Sequence, residues 1–244
     1  MSAAPRPRSG PPALPARFVL VRPRRPENLG AAARVLANFG FDDWAIVGPG
    51  PHDFATARRV AVHAEALLDR PAVVEHLDEA VADCTLVVGT TSRKLRGRRA
   101  IPPAEVALLA ARERGRGRLA LVFGDERDGL SAEALGRCDE VSTIPTSGAQ
   151  PSLNLAQAVA VYAHAVRQVD AEPTPAGPGE GATDEELRRL EEALRQALRR
   201  CGFLVGPERH AVEDLVASLR RARLSRGEVR LWMAALSRLA SPRA

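Results

Sequence analysis

Short apolar runs alternate with helical patterns of apolar residues along the first two thirds of the 244-residue chain. The runs lack a regular alternation with polar residues, which is typical of strands buried on both faces of a parallel sheet. The predicted strands are Phe18–Val21, Trp44–Val47, Leu86–Val88, Leu119–Phe123 and Val141–Ile144. The predicted helices are Asn28–Phe39, Ala55–Leu68, Pro103–Arg114, Ala132–Arg137 and Ser152–Val169. This βαβα order predicts an α/β fold with a mostly parallel sheet.

The two ends of the chain have different patterns. Residues 1–16 are rich in Arg, Pro and Ala and predict a flexible basic tail, so the α/β domain is expected over 17–170. Residues 171–183 contain three prolines and three glycines and predict a linker. Leucines and valines recur at helical spacing over 184–244, which predicts a small C-terminal extension of three helices. Because so small an extension buries little surface alone, we expect it to pack on the main domain or on a second subunit.

Composition excludes several classes of protein. An apolar fraction of 45% with 27% charged residues indicates a globular chain. No apolar run reaches the roughly 18 residues of a membrane span, and residues 1–16 contain no continuous apolar segment of a secretory signal. The cysteines Cys84, Cys138 and Cys201 are far apart, which argues against a disulfide framework or a metal site. We therefore expect a cytoplasmic protein with neither membrane nor metal.

The net charge of +5 is unevenly distributed. Lysine occurs once, and the other 34 of the 35 basic residues are arginines. Residues 1–25 and 184–244 are net basic, whereas 26–183 are net acidic except for a basic stripe over 93–118. Clustered guanidinium groups favour a polyanion such as nucleic acid, although a GC-rich genome would also raise the arginine content. The candidate RNA-binding residues in this stripe are Arg93, Lys94, Arg96, Arg98 and Arg99.

A first candidate functional segment covers residues 26–40, PENLGAAARVLANFG. Arg34 lies among alanines, and Gly30 and Asn38 share its helical face. Small neighbours would let another backbone or a ligand approach the guanidinium group. The alternative is structural: Asn28 caps the helix and Arg34 is an ordinary surface residue.

Two further segments each follow a predicted strand. In residues 121–131, LVFGDERDGLS, the strand leads into a turn with Asp125, Glu126 and Asp128, at the sheet edge where α/β proteins bind ligands. The alternative is a solvated turn that caps the next helix. In residues 144–158, IPTSGAQPSLNLAQA, a helix opens at Ser152 and Asn154, where backbone N–H groups can bind an anion or a carboxylate. The alternative is a simple Ser152 N-cap.

Together these segments resemble, in order and spacing, the three motifs of the SpoU class of SPOUT RNA 2'-O-methyltransferases. The resemblance covers about residues 17–170 and is nearest to the branch that methylates position 32 of the tRNA anticodon loop, which also has the GTTSR of Gly89–Arg93. It implies a sheet whose C-terminal part forms a trefoil knot, with S-adenosyl-L-methionine as the methyl donor. It also implies a homodimer with composite active sites that acts on tRNA.

The resemblance implies roles for individual residues. The cofactor cleft should involve Thr90, Thr91, Ser92, Gly124, Ile144, Pro151, Ser152 and Leu153. Pro151 replaces a small polar residue, so only its backbone is expected to make contact. The catalytic candidates are Arg34, Asn28, Glu126, Ser152 and Asn154.

Among these candidates, Arg34 is the family's suggested activator of the hydroxyl. Because a guanidinium group stays protonated, we expect it to bind the adjacent phosphate and stabilise the developing alkoxide. Asn28, Ser152 and Asn154 would orient the ribose, Arg34 and the loop. The carboxylate of Glu126 would hold the knot loops or Asn154 rather than accept the proton.

Three other functions are compatible with the same residues. An rRNA 2'-O-methyltransferase of the same class would use the same chemistry, and a non-catalytic RNA-binding protein would keep the fold without turnover. DNA binding through the C-terminal helices would be a third, but no sequence signal favours it and no DNA partner is expected.

Overall fold

A computed structural model describes residues 15–48, 53–95, 97–169, 180–203 and 209–240. In this part of the chain six strands form one sheet in the order β3-β2-β1-β5-β4-β6, and every described pair is parallel. The prediction of a mostly parallel sheet is confirmed. The strands are β1 (Ala16–Val21), β2 (Trp44–Val47), β3 (Ala72–Val74), β4 (Leu86–Thr90), β5 (Leu119–Phe123) and β6 (Glu140–Ser142).

Helices cover both faces of this sheet, which explains why its central strands are apolar throughout. They are α1 (Pro26–Phe39), α2 (Phe54–Ala61), α3 (Leu77–Val81), α4 (Pro103–Glu113), α5 (Ala132–Gly136) and α6 (Leu155–Gln168), with a 3-10 helix at Glu65–Asp69. Alternate residues of β1 point to opposite sides, so Phe18 and Leu20 join one buried cluster and Val19 joins the other. Helices α1, α2, α4 and α6 contact one another on the Phe18 side.

The predicted boundaries fail where elements are short or broken. The single helix predicted at Ala55–Leu68 is wrong, because it breaks at residues 62–64, where His63 has a φ of 67°. Strand β3 and helix α3 were not predicted, since three and five residues are too few to show a periodicity. The strand predicted at Val141–Ile144 ends at Ser142 instead.

Three further helices follow, α7 (Asp184–Arg200), α8 (Arg209–Arg221) and α9 (Arg226–Ala240), as the leucine spacing predicts. They share a small apolar cluster and dock on the sheet through buried charges. The Arg220 guanidinium lies 3.1 Å from Asp139 and 2.9 Å from Asp184. Asp139 also accepts a 2.7 Å hydrogen bond from the backbone N–H of Val87 in β4. The extension therefore packs on the main domain, as expected, through an ion cluster that would be costly to break.

The exact domain limits stay a prediction. Residues 1–14 of the predicted basic tail, residue 170 of the predicted α/β domain and residues 171–179 of the predicted linker lie outside the described residues. None of the described helices is long and apolar enough to cross a lipid bilayer.

Candidate active site

A cleft opens at the carboxyl edge of the sheet, where the adjacent strands β5, β4 and β6 end. Three segments form its walls: residues 90–93 at the end of β4, residues 124–129 after β5, and residues 144–155 up to the start of α6. The cleft encloses about 210 Å³. All eight residues predicted to contact a cofactor line it, namely Thr90, Thr91, Ser92, Gly124, Ile144, Pro151, Ser152 and Leu153. Carboxyl ends of parallel strands are where α/β sheets bind ligands, so the location agrees with the chemistry expected there.

The loop after β5 is a closed turn with no room for a side chain at its start. A Cβ atom on Gly124 would lie 2.0 Å from the carbonyl carbon of Gly129. The Asp125 carboxylate accepts hydrogen bonds from the backbone N–H groups of Arg127 and Asp128, at 2.8 and 2.7 Å. Burial opposes ionisation of Asp125, but these bonds and the nearby Arg24 guanidinium outweigh it and lower its pKa.

The turn therefore presents an ionised carboxylate rather than a helix cap. The cap of α5 is Ser131, whose hydroxyl accepts from the backbone N–H of Ala134 at 3.0 Å. The alternative interpretation of this segment, an acidic turn that caps the next helix, is wrong.

A chain of hydrogen bonds joins the three sequence segments. The Asn28 Nδ2 group donates to the Glu126 carboxylate at 2.7 Å, and the Asn154 Nδ2 group donates to Asn28 Oδ1 at 2.8 Å. Helix α1 begins at Pro26, so Asn28 lies inside its first turn, is 7% exposed, and is not the N-cap. The structural alternative for Asn28 is therefore wrong, and its amide connects an acidic turn to the opening of α6.

Glu126 is fixed as an anionic acceptor. Its carboxylate also accepts from the backbone N–H groups of Arg24 and Arg25, at 2.8 and 3.2 Å. Burial raises the pKa of Glu126, but these donors together with Asn28 lower it overall. With its oxygens occupied by donors, this group is better suited to holding loops than to taking a proton. It reaches Asn154 only through Asn28, a more specific arrangement than the sequence predicted.

Asn154 forms the N-cap of α6. Its Oδ1 accepts from the backbone N–H of Ala156 at 2.9 Å, and its own N–H donates to Gln157 Oε1 at 3.1 Å, which completes a capping box. The predicted helix start at Ser152, and the Ser152 cap, are therefore wrong. Ser152 is exposed in the loop and lines the cleft with Pro151. The Thr146 hydroxyl donates to the Pro151 carbonyl at 3.0 Å, so that backbone is held in the wall of the cleft.

Arg34 lies apart from this network. Its side chain is exposed, does not line the cleft of its own chain, and forms no hydrogen bond or ion pair with any described residue. The space beside Gly30, one turn earlier, is occupied by helix α2, because a Cβ atom at residue 30 would lie 2.1 Å from the carbonyl oxygen of Ala57. The small face of α1 therefore admits another backbone, whereas Arg34 remains open to a partner.

The predicted RNA-binding residues differ in their surroundings. Arg93 donates to the Leu130 carbonyl, and Arg98 donates to the carbonyls of Leu135, Cys138 and Asp139. Both guanidinium groups therefore already contact carbonyl groups of the folded chain, and their binding to RNA stays a prediction. Lys94 and Arg99 are exposed, and Arg99 lies 3.5 Å from Glu105. Arg96 lies outside the described residues.

The basic stripe over 93–118 is also divided in space. Residues 93–99 follow the carboxyl end of β4, whereas α4 carries the chain across the sheet to the amino end of β5. There Arg118 pairs with Asp83 at 2.7 Å, and Arg116 donates to the Arg223 carbonyl at 3.2 Å. The stripe is continuous in the sequence but not on the surface.

Several residues of the cleft were not predicted, above all Tyr162 of α6. Its ring packs edge-on against Phe123, and its hydroxyl donates to Ser142 Oγ at 2.7 Å. Burial raises the pKa of Tyr162 to about 12, so the phenol stays neutral. The signal was available in the sequence, because Leu155, Ala158 and Tyr162 recur at helical spacing and all line the cleft.

The described residues contain no group of three or more His, Cys, Asp or Glu side chains arranged to hold a metal ion. The cleft instead combines an ionised acidic rim with an apolar wall formed by Phe123, Ile144, Leu155 and Tyr162. This arrangement suits a ligand that is cationic at one end and apolar or aromatic at the other.

Comparisons with known proteins agree with this arrangement. The model of the SpoU rRNA Methylase family matches residues 15–164, which contain all three segments. The chain is 33% identical over 198 residues to "tRNA (cytidine/uridine-2'-O-)-methyltransferase TrmJ" of Sodalis glossinidius, covering 77% of this chain and 76% of that protein. It is 37% identical over 153 residues to "tRNA (cytidine-2'-O-)-methyltransferase TrmJ" of Methanocaldococcus jannaschii, covering 61% of this chain and 65% of that protein. The crystal structure of TrmJ from Z. mobilis ZM4 has a TM-score of 0.79 at 31% identity, covering 94% of this chain and 100% of that one.

Proposed function

The chain belongs to the SpoU rRNA Methylase family, and from this premise we propose that it methylates a ribose 2'-hydroxyl of tRNA with S-adenosylmethionine as the donor. The observation that carries the proposal is the coincidence of two features at one sheet edge. The eight predicted cofactor residues surround a single cleft, and the Glu126–Asn28–Asn154 network lies at its border. The names of the relatives support a cytidine or uridine as the target. We assign the reaction to position 32 of the anticodon loop.

The cleft fits S-adenosylmethionine in its chemistry. The carboxylates of Asp125, Glu126 and Asp128 line one side, and they would favour the positively charged sulfonium and ammonium groups. The aromatic and aliphatic side chains of the opposite wall would accept an adenine ring. When bound, the cofactor supplies an already activated methyl group, so the protein's task is alignment and removal of the hydroxyl proton.

The protein residues would share that task. Ser152, exposed in the cleft wall, can hydrogen-bond the ribose, and Asn154 fixes the loop that carries Ser152 through its cap on α6. Asn28 and Glu126 hold this loop against the turn after β5. Arg34 would bind the phosphate next to the target ribose and stabilise the developing alkoxide, since its guanidinium group stays protonated.

The position of Arg34 supports a composite site. It does not line the cleft of its own chain and forms no ion pair with a described residue, so we propose that it completes the active site of the partner subunit in a homodimer. The trefoil knot is part of the same proposal, supported by the likeness in fold to the Z. mobilis structure. We place the reaction in the cytoplasm.

The direct test is methyl transfer from labelled S-adenosylmethionine to total tRNA and to rRNA, followed by mapping of the methylated riboses. Label at a pyrimidine of the tRNA anticodon loop is the expected result. Label in rRNA alone would favour the rRNA alternative, and tight RNA binding without label would favour a non-catalytic protein.

The role of Arg34 has a separate test. The variant Arg34→Ala should lose methylation almost completely while binding S-adenosylmethionine within a few-fold of the parent. Arg59→Ala, which removes another exposed helical arginine, should keep both properties. Loss of cofactor binding in Arg34→Ala would show that the assigned role is wrong.

A further inference from the structure

The loop that joins β1 to α1 places three arginines, Arg22, Arg24 and Arg25, at the carboxyl edge of the sheet. Strand β1 pairs with β5, so this loop lies next to the acidic turn of the cleft. The backbone N–H groups of Arg24 and Arg25 donate to the Glu126 carboxylate at 2.8 and 3.2 Å. The loop and the candidate active site are therefore parts of one hydrogen-bonded unit.

The backbone of this loop is held at several points. The Arg22 N–H donates to the Val47 carbonyl of β2 at 2.7 Å. Pro23 and Pro26 flank Arg24 and Arg25, and their rings fix the φ angle at both ends of this pair. Such restraint fixes where the side chains leave the backbone. When a ligand binds these side chains, the protein loses side-chain entropy but little backbone entropy.

The three arginines differ in what their side chains do. Arg24 lies 3.4 Å from Asp125 and 3.3 Å from Asp128, so it offsets part of the negative charge of the acidic turn. Arg22 and Arg25 are exposed, and neither side chain has a hydrogen bond or ion pair with any described residue. Two guanidinium groups without a partner among the described residues thus extend from a loop next to a cleft whose lining includes three carboxylates.

Arg22 has an unusual backbone that favours this exposure. Its φ of 51° is in the left-handed region, which non-glycine residues rarely adopt. Its side chain passes over Gly48, where a Cβ atom would lie 2.6 Å from Arg22 Cγ. The absence of a side chain at 48 leaves the space that the stem of Arg22 occupies.

We infer that Arg22 and Arg25 bind phosphate groups of the RNA backbone next to the target ribose, an inference that rests on the proposed function. A planar guanidinium group matches the oxygens of a phosphate, and an exposed pair without internal acceptors is available to them. The acidic cleft and this basic loop then bind ligands of opposite charge side by side: the cationic methyl donor and the polyanionic acceptor. In the 93–99 segment, by contrast, Arg93 and Arg98 already have carbonyl acceptors.

The test compares the double variant Arg22→Gln/Arg25→Gln with a control double variant, Arg70→Gln/Arg112→Gln. The control removes the same charge from two exposed arginines at the amino edge of the sheet, where α4 ends and β3 begins. Binding of unmodified tRNA is measured at several salt concentrations, and kcat and KM for methylation are measured in parallel. Cofactor binding and the midpoint of thermal unfolding report that both variants are folded.

The loop variant should bind tRNA about 25-fold more weakly at 0.1 M salt, because each phosphate contact contributes a factor of about 5 per decade of salt below 1 M. The slope of log K against log salt should become shallower by about 1.4, because each of the two lost phosphate contacts to single-stranded RNA contributes about 0.7. The KM for tRNA should rise with kcat nearly unchanged, and Arg22→Lys/Arg25→Lys should restore most of the slope. The control variant should keep the parent slope.

The possible outcomes separate the inference from the proposed function. An active parent whose loop variant keeps the salt slope of the control overturns the inference alone. A parent that binds tRNA but methylates none overturns the proposed function, while a shallower slope in the loop variant still supports the phosphate site. A parent that does not bind tRNA overturns both.

Discussion

Replacement of Asn28 by aspartate tests the hydrogen-bond chain on which the candidate active site depends. The change is nearly isosteric, but it replaces the amide group that donates to Glu126 at 2.7 Å by a second carboxylate oxygen. The Asn154 amide can still donate to the other oxygen. The variant therefore places two anions in contact without altering the packing of the first turn of α1.

The cost follows from Coulomb's law. Two unit charges 2.7 Å apart repel by about 6 kcal/mol at an effective dielectric constant of about 20. Glu126 is half-buried and in contact with water, so we discount this to about 3 kcal/mol at pH 8. A penalty of that size raises the pKa of the carboxyl pair, because each anion disfavours the charged form of the other.

The pH dependence gives the sign of the effect. Above the ordinary pKa of a carboxyl group the folded variant still holds a proton that its unfolded chain has released, so its free energy of unfolding falls relative to the parent as the pH rises. The deficit should be largest once both carboxyl groups are ionised in the folded variant, and it should shrink as the pH falls. Chemical unfolding of Asn28→Asp and the parent at pH 4.5, 6 and 8 measures it, and methyl transfer should be lost at pH 8.

Two further variants make the test specific. Asn38→Asp, at an exposed position of the same helix, should cost less than about 1 kcal/mol at every pH. In Asn28→Asp/Glu126→Gln the donor and acceptor are exchanged, which should recover part of the loss. If Asn28→Asp matched Asn38→Asp at pH 8, the Asn28–Glu126 bond would not exist in solution and the described site would be wrong.

The remaining predictions concern packing, docking and reactivity. Gly124→Ala should lower cofactor affinity by at least tenfold, because the added Cβ atom would lie 2.0 Å from the Gly129 carbonyl carbon. Calorimetry measures the affinity. The control Gly136→Ala, whose Cβ atom would meet no neighbouring atom within 4 Å, should bind the cofactor normally. Arg220→Ala leaves buried Asp139 without its cation, and Asp184 with Arg188 alone, so it should lower the free energy of unfolding by about 3 kcal/mol, measured by denaturant titration; a loss below about 1 kcal/mol would contradict the buried cluster. In the native protein a maleimide should label Cys201 alone, as mass spectrometry can show, since the other two cysteines are buried and burial raises their pKa values.

Local sequence determined most of the regular structure of this protein. Strands β1, β2 and β5 follow from apolar runs bounded by polar turns, and the three C-terminal helices follow from leucine spacing. The residues of the cleft could be predicted through the resemblance of three short segments to a known family. Local pattern suffices in these cases because hydrophobic periodicity reflects which side of an element is buried.

Tertiary structure decided how these parts combine. Asn28 is 98 residues from Glu126 and 126 residues from Asn154 in the sequence, yet its side-chain amide is hydrogen-bonded to both. No local sequence pattern shows this connection. The basic stripe divided because a parallel crossover carries the chain from one edge of the sheet to the other. The folded chain also determines which arginines already have hydrogen-bond acceptors. Arg98 donates to three carbonyl groups, whereas the Arg22 side chain has no partner among the described residues. The sequence gives the number and order of the charged residues, but the packed structure determines which of them can contact a ligand.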